Sequence, residues 1–223
     1  MKFLKFFSFI LILSTLFNCA TKVPLAESFY NDKTVGVYVV SDSINRFKSG
    51  SQGLLDMAIS SGAKYKEPLQ YIGSQIDAKS LFVSAAQSTL SEKSKSYIII
   101  DDKIDFEGFS KFEKPDSKDK TKYSSKNLTA LKNKYNVDQL MIVHIKYGLT
   151  IGYYSMVETG KGGSAYISVE VIDLNTNELL YKDNITTFEN FTGQWKNPPY
   201  YPELKENIEK ALNIGVDQFN TKF

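Results

Sequence analysis

The chain has 223 residues, with 27 basic and 25 acidic side chains, one histidine and one cysteine. This near-neutral balance supplies no basic excess to hold a phosphate backbone, so nucleic-acid binding is disfavoured. A single cysteine excludes an intramolecular disulfide, and the length suffices for one domain with a real hydrophobic core or for two small ones.

The first element is a leader. Lys2 and Lys5 precede an apolar run from Phe6 to Phe17, and the polar pair Asn18-Cys19 follows. Charged, then apolar, then small is the order of a secretory signal peptide. The run falls short of the ~20 apolar residues that a spanning helix needs, and Ser8, Ser14 and Thr15 interrupt it. Its end resembles the bacterial lipoprotein signal: Leu16 stands three positions before Cys19, while Phe17 and Asn18 depart from the small residues usual there. The resemblance implies a diacylglyceryl group on the Cys19 thiol, cleavage after Asn18 and an N-acyl chain on the new amino terminus. The lipid is covalent, and no dissociable cofactor is expected. An ordinary cleaved leader and a retained helix are the alternatives. Ala20 resembles the residue that sorts lipoproteins to the outer membrane. Removal of residues 1–18 takes two basic residues and no acidic one, so the mature chain is neutral.

Residues 19–32 read as a lipidated tether containing Pro24, and 33–223 as one globular domain. Thr34 to Ser41 is a β-branched run and predicts a buried strand. Residues 42–50 are polar and read as loop. Leu54, Leu55, Ala58 and Ile59 fall at helical spacing, as do Leu69, Ile72 and Ile76. Asp77 is a good N-cap for a clearer helix, with Leu81, Phe82, Ala85, Ala86 and Leu90 on one face. Tyr97 to Asp101 predicts a second buried strand. Residues 104–109 read as irregular or as an edge strand, and 110–123 as an exposed charged loop. Ser124 or Ser125 is positioned to cap a short helix carrying Leu128, Leu131 and Tyr135.

Residues 139–157 predict a long strand, and Glu158 to Gly163 a flexible hairpin tip. Ser164 to Leu174 alternates, with Ile167, Val169 and Val171 on one side and Tyr166, Ser168, Glu170 and Ile172 on the other. A tight turn at 175–177 leads into a returning strand from Leu179. Pro202 then opens an amphipathic helix with Leu204, Ile208, Ala211, Leu212, Gly215 and Phe219 on one face. The order predicts an α/β (α+β) fold: a mixed sheet containing an antiparallel three-stranded meander, helices packed on it, and a closing C-terminal helix.

Four stretches carry a second resemblance: the strand 34–40, the helix-to-strand junction Tyr135-Asn136-Val137-Asp138 with the apolar residues after it, the hairpin Ser168 to Leu180, and the last helix. Together they resemble a group of periplasmic lipoproteins that includes CsgG, the penicillin-binding-protein activator lipoproteins and the amino-terminal domain of TolB. The resemblance implies action by protein binding or assembly, including pore formation in one relative, and not by catalysis. The turn glycine of that group is Asn177 here, a residue that tolerates the same left-handed backbone.

No catalytic set is present. His144 is the only histidine, lies mid-strand and reads as structural; with no second histidine or available cysteine, a zinc site is not expected. Asp101, Asp102, Asp105 and Glu107 read as a polar strand end, without the glycine placement of a calcium loop. Glu158 to Ser164 lacks the phosphate-loop spacing. The aromatic and proline-rich stretch with Trp195, Tyr200 and Tyr201 is the candidate partner-binding surface, because Trp and Tyr are favoured interface anchors; the alternative is that these rings cover the end of the sheet. The expected function is a lipid-anchored envelope module, not an enzyme, held to a membrane and binding a protein partner or a second copy of itself. A surface-exposed adhesin for host matrix or serum proteins is the alternative.

Overall fold

The alternation of 139–157 produces the spine of the sheet. β4 (Gln139–Tyr154) buries Met141, Val143, Ile145, Tyr147, Leu149, Ile151 and Tyr153 on one face. The computed structural model describes residues 22–51, 63–115, 120–193 and 199–223. β5 (Val157–Asp173) returns antiparallel along the whole of β4, and β6 (Leu179–Asn190) pairs antiparallel with β5. This is the expected meander. On the other side of β4, β1 (Val35–Ser41) runs parallel to Gln139–Ile145, with β3 (Tyr97–Ile99) parallel to β1 at the sheet edge.

Four helices complete an α+β fold among the described residues: α1 (Lys66–Gly73), α2 (Ala78–Glu92), α3 (Ala130–Tyr135) and α4 (Pro202–Asn220). Asp77 caps α2 as expected, its Oδ1 accepting from the Ser80 amide at 2.9 Å. α2 and α4 place Phe82, Ala86, Leu90, Leu204, Ile208, Leu212 and Phe219 against the odd-numbered β4 face, forming the main core. Burying each large apolar side chain there stabilises the fold by roughly 1.5–3 kcal/mol. A smaller core covers only the lower half of the opposite face, where Tyr38, Leu140 and Ile172 meet Ile100, Ile104, Leu128 and Leu131. β1 is covered on both faces, which is why its sequence is a continuous apolar run and not an alternation.

Several expectations change. Residues 42–50, read as loop, instead contribute most of β2 (Asn45–Ser51), parallel to Gly148–Tyr154 and end to end with β1. Its polar sequence hid it, because it is an edge strand with few buried side chains. Gly148 makes the pairing possible: its φ is +146°, and a Cβ there would lie 1.9 Å from the Asn45 carbonyl oxygen. β3, expected to be buried, is a short edge strand with Ile98 39% exposed. α3 begins later than its expected cap, with Thr129 at the N-cap and neither Ser124 nor Ser125. The helical pattern at 54–59 lies outside the described residues.

The expected tether of 19–32 is, from Lys22 onward, part of the domain. Val23 bridges Lys182 antiparallel, the Ala26 amide donates to the Leu180 carbonyl, and Phe29 is fully buried against Phe223. Lys22 pairs with Asp183 at 2.8 Å, and Lys95 donates to the Asn31 carbonyl. An apolar Phe and a strand edge left open by β6 together explain the docking.

The β5–β6 turn shows what the left-handed asparagine does. Asn177 has φ +63° and is fully buried. Its Oδ1 accepts from the Leu128 amide, and its Nδ2 donates to the Ser124 and Lys126 carbonyls. Gly at this position would keep the backbone and lose these bonds. Asn177→Gly is therefore expected to cost about 2 kcal/mol, because a buried amide and two carbonyls lose their partners. Denaturant unfolding checks this; an unchanged midpoint would contradict it.

Candidate interaction surface at the hairpin pole

The β4–β5 arm turns at Ser155-Met156, not at the glycine-rich 158–163, which lies inside β5. Ser155 supplies the positive φ (+53°) that so tight a turn requires. Gly152 pairs with Gly160 and Tyr153 with Glu158, so Thr159 is the extra residue of a β-bulge. The bulge shifts side-chain parity by one and carries Glu158 onto the helix-side face, beside Tyr153. At the apex, Tyr154, Met156 and Val157 are 73%, 59% and 64% exposed.

Glu158 is the centre of a polar cluster behind that apex. Its Oε1 accepts from Lys64 Nζ at 2.9 Å, the Tyr65 hydroxyl at 2.8 Å and the Tyr153 hydroxyl at 3.5 Å, while Oε2 pairs with Lys161. Arg46 lies over the Tyr65 ring and Lys48 over the Tyr153 ring. Burial alone would raise the Glu158 pKa, but the bonds from Lys161, Lys64 and Tyr65 outweigh it and hold the carboxyl at about 2. Burial first, and then Glu158, push the Tyr65 hydroxyl well above its ordinary value.

A depressed carboxyl contributes stability that is present above its unfolded pKa, 4.5, and is lost as pH falls through its folded value of about 2. The contribution is on the order of 2 kcal/mol. Glu158→Gln should remove this part of the acid-side slope, so wild type and variant stabilities converge between pH 4.5 and 2. Parallel wild-type and variant curves in urea titrations across that window would contradict it.

Of the expected partner-binding residues, Tyr200 and Tyr201 are described and Trp195 lies outside the described residues. Tyr200 is 65% exposed. Its ring centroid lies 6.1 Å from that of Tyr71 on α1, which is also 6.1 Å from Tyr201. Tyr201 sits at the N-cap of α4 with φ +45°, a costly backbone for a bulky residue. The approach to α4 is fixed by Glu203, whose Oε1 accepts from the amides of Thr192 and Gly193. Sequence reading missed Tyr71, whose only signal is an aromatic on the polar face of a short helix. It missed the Glu158 cluster too, because the bulge that assembles it carries no sequence signature.

The other candidates stay apart from this surface. His144 Nε2 lies 2.8 Å from Asp42 Oδ1, bracing the step between β1 and β2. His144 and Ser168 floor two shallow open clefts of about 300 and 390 Å³ on the uncovered half of the sheet. Asp101 pairs with Lys79, Glu107 pairs with Lys126, and Asp105 Oδ1 accepts from the Glu107 amide. Among the described residues no group of three or more acidic, histidine or cysteine side chains is placed to hold a metal ion. No helix among them is long and apolar enough to cross a membrane. Leu16, Asn18 and Cys19 lie outside the described residues.

No protein-family model matches the chain, and no curated protein sequence does. Among solved structures, it aligns with a neuraminyllactose-binding hemagglutinin homologue of Helicobacter pylori at 9% identity, covering 93% of this chain and 91% of that one, with a TM-score of 0.40. It aligns with protein CT253 of Chlamydia trachomatis at 11% identity, covering 83% and 95%, with a TM-score of 0.36. Lipoprotein GNA1162 of Neisseria meningitidis aligns at 8% identity, covering 84% and 99%, with a TM-score of 0.37.

Proposed function

We infer that the chain is a lipid-anchored envelope lipoprotein whose α+β domain is a non-catalytic protein-binding or assembly module. The observation that carries this is the amino-terminal order: Lys2 and Lys5, the apolar run, then Leu16 and the sole cysteine at position 19. A thiol at the end of a leader is the nucleophile that thioether formation requires. Two or more acyl chains give stable attachment where one gives only marginal binding. The resemblance to CsgG, the penicillin-binding-protein activators and the TolB amino-terminal domain supports binding or assembly over chemistry. Ala20 favours the outer membrane.

The partner surface is the aromatic cluster of Tyr71, Tyr200 and Tyr201. Rigid, exposed aromatic rings are the side chains that carry the largest share of interface energy. The partner is another protein or a second copy of this chain. A photo-crosslinking amino acid at position 200, installed in growing cells, tests this. One discrete adduct is expected, lost in the presence of Tyr71→Ala while the melting temperature holds. No adduct at position 200, or one indifferent to Tyr71→Ala, would contradict the assignment.

A further inference from the structure

The exposed apex of the β4–β5 arm has no role in the reading above. Tyr154, Met156 and Val157 stand at the tip of the longest element in the fold, and all three are more than half exposed. A contiguous apolar surface projected away from the body marks a contact site. We propose that this apex is a second membrane contact, in which the three side chains enter the headgroup–acyl boundary of a bilayer bearing anionic lipid.

Shape and charge favour a bilayer. Three residues around a two-residue turn form a convex knob, whereas protein hot spots sit within broad, complementary patches. A fluid bilayer accommodates a knob, and a tyrosine ring with its hydroxyl suits that boundary. Behind the apex lie Arg46, Lys48, Lys64 and Lys161, gathered around the single carboxylate of Glu158. Four cations around one carboxylate leave this described band net positive. Cations set behind an apolar tip match anionic headgroups.

The fold also limits the depth of entry. Below the tip, one face carries Gly152, Gly160 and Gly162, and the other is occupied by Tyr65 packed on Tyr153 and Glu158. A spanning strand needs about 9–11 residues with a continuous lipid-facing apolar row. The arm has no such row, so the apex touches the membrane and does not cross it.

If Cys19 is acylated as inferred above, the geometry is restricted further. Cys19 stands three positions before Lys22 in the chain, so the lipid attachment lies within about 10 Å of that residue. Lys22 lies level with Asp183, Val169 and Val143, eleven residues along the strands from Tyr154. That distance is about 36 Å. Contact at both points lays the arm nearly parallel to the membrane.

The test uses the full processed protein with Met156→Cys carrying an environment-sensitive fluorophore. The parent protein serves as blank, and Thr176→Cys at the opposite pole serves as control. On vesicles of phosphatidylcholine with phosphatidylglycerol, the label at 156 should shift to the blue and be quenched by brominated acyl chains. The label at 176 should do neither. Tyr154→Ser with Val157→Ser should cut the quenching at least several-fold, and phosphatidylcholine alone should weaken it. Intact mass of the same sample reports acylation separately. An acylated, vesicle-bound protein whose label at 156 stays in water overturns the apex contact and leaves the lipoprotein reading standing. An unacylated protein whose label at 156 enters lipid does the reverse.

Discussion

Cys19→Ala is expected to abolish incorporation of a fatty-acid analogue and to leave residues 1–18 attached. The thiol is the only cysteine sulfur in the chain, so no other residue can form the thioether. Processing of a lipoprotein leader follows that modification, and its loss stalls the precursor. A paired variant separates anchoring from processing. With residues 1–19 replaced by an ordinary cleavable leader, the domain should leave the membrane fraction almost completely. Each buried methylene of an acyl chain contributes about 0.8 kcal/mol, so losing two or more chains outweighs anything the apex can supply. Folding should be unaffected, because the backbone hydrogen bonds that Val23 and Lys182 exchange lie outside the replaced residues. A melting temperature equal to that of the parent would show that solubility reflects the missing lipid and not misfolding. Undiminished labelling of Cys19→Ala would rule out the thiol as the attachment point.

Gly163→Ala is expected to destabilise the domain by about 3 kcal/mol, through overpacking against backbone. A Cβ at this position would lie 2.3 Å from the Asn207 carbonyl oxygen and 2.5 Å from the Ile208 nitrogen. Both are backbone atoms of α4, so no side chain can rotate away. The helix would have to lift, loosening Leu204, Ile208 and Leu212 from the sheet. For a domain of this size the melting temperature should fall by about 6–12 °C. Gly160→Ala is the internal comparison, since nothing lies within 4 Å of a Cβ there. It should change stability by less than about 0.5 kcal/mol. Equal effects at the two glycines would show that α4 does not rest on β5 as described.

These two glycines also show where sequence reasoning stopped. The run Glu158 to Gly163 reads as a flexible tip because glycines and polar residues usually mark turns. In the fold they serve close approach within a strand. Gly163 admits the α4 backbone, and a Cβ at Gly162 would lie 2.2 Å from the Glu189 carbonyl oxygen on β6. The true turn, Ser155-Met156, carries none of the residues that announce a hairpin. Where one face is buried and the other is not, the pattern was legible. Ile167, Val169 and Val171 do face the helices, and Leu204 to Phe219 does form the seam of α4. The edge strand β2 was illegible because it buries little, so hydrophobic periodicity has nothing to report. The docking of 22–31 was hidden for a different reason: one buried phenylalanine and a strand edge suffice, and neither leaves a periodic trace. At the candidate surface, Tyr200 and Tyr201 were visible as an aromatic run beside prolines. Tyr71 joins them only through tertiary packing of α1 near the start of α4.

The lipid on Cys19 fixes what the amino terminus of the mature protein must be. Intact-mass analysis of native material, solubilised gently from the envelope, reads it directly. The predicted product begins at residue 19 and carries the added mass of a diacylglyceryl group with or without one further amide-linked chain. A product that retains residues 1–18, or one that begins at Cys19 with an unmodified thiol, would contradict it.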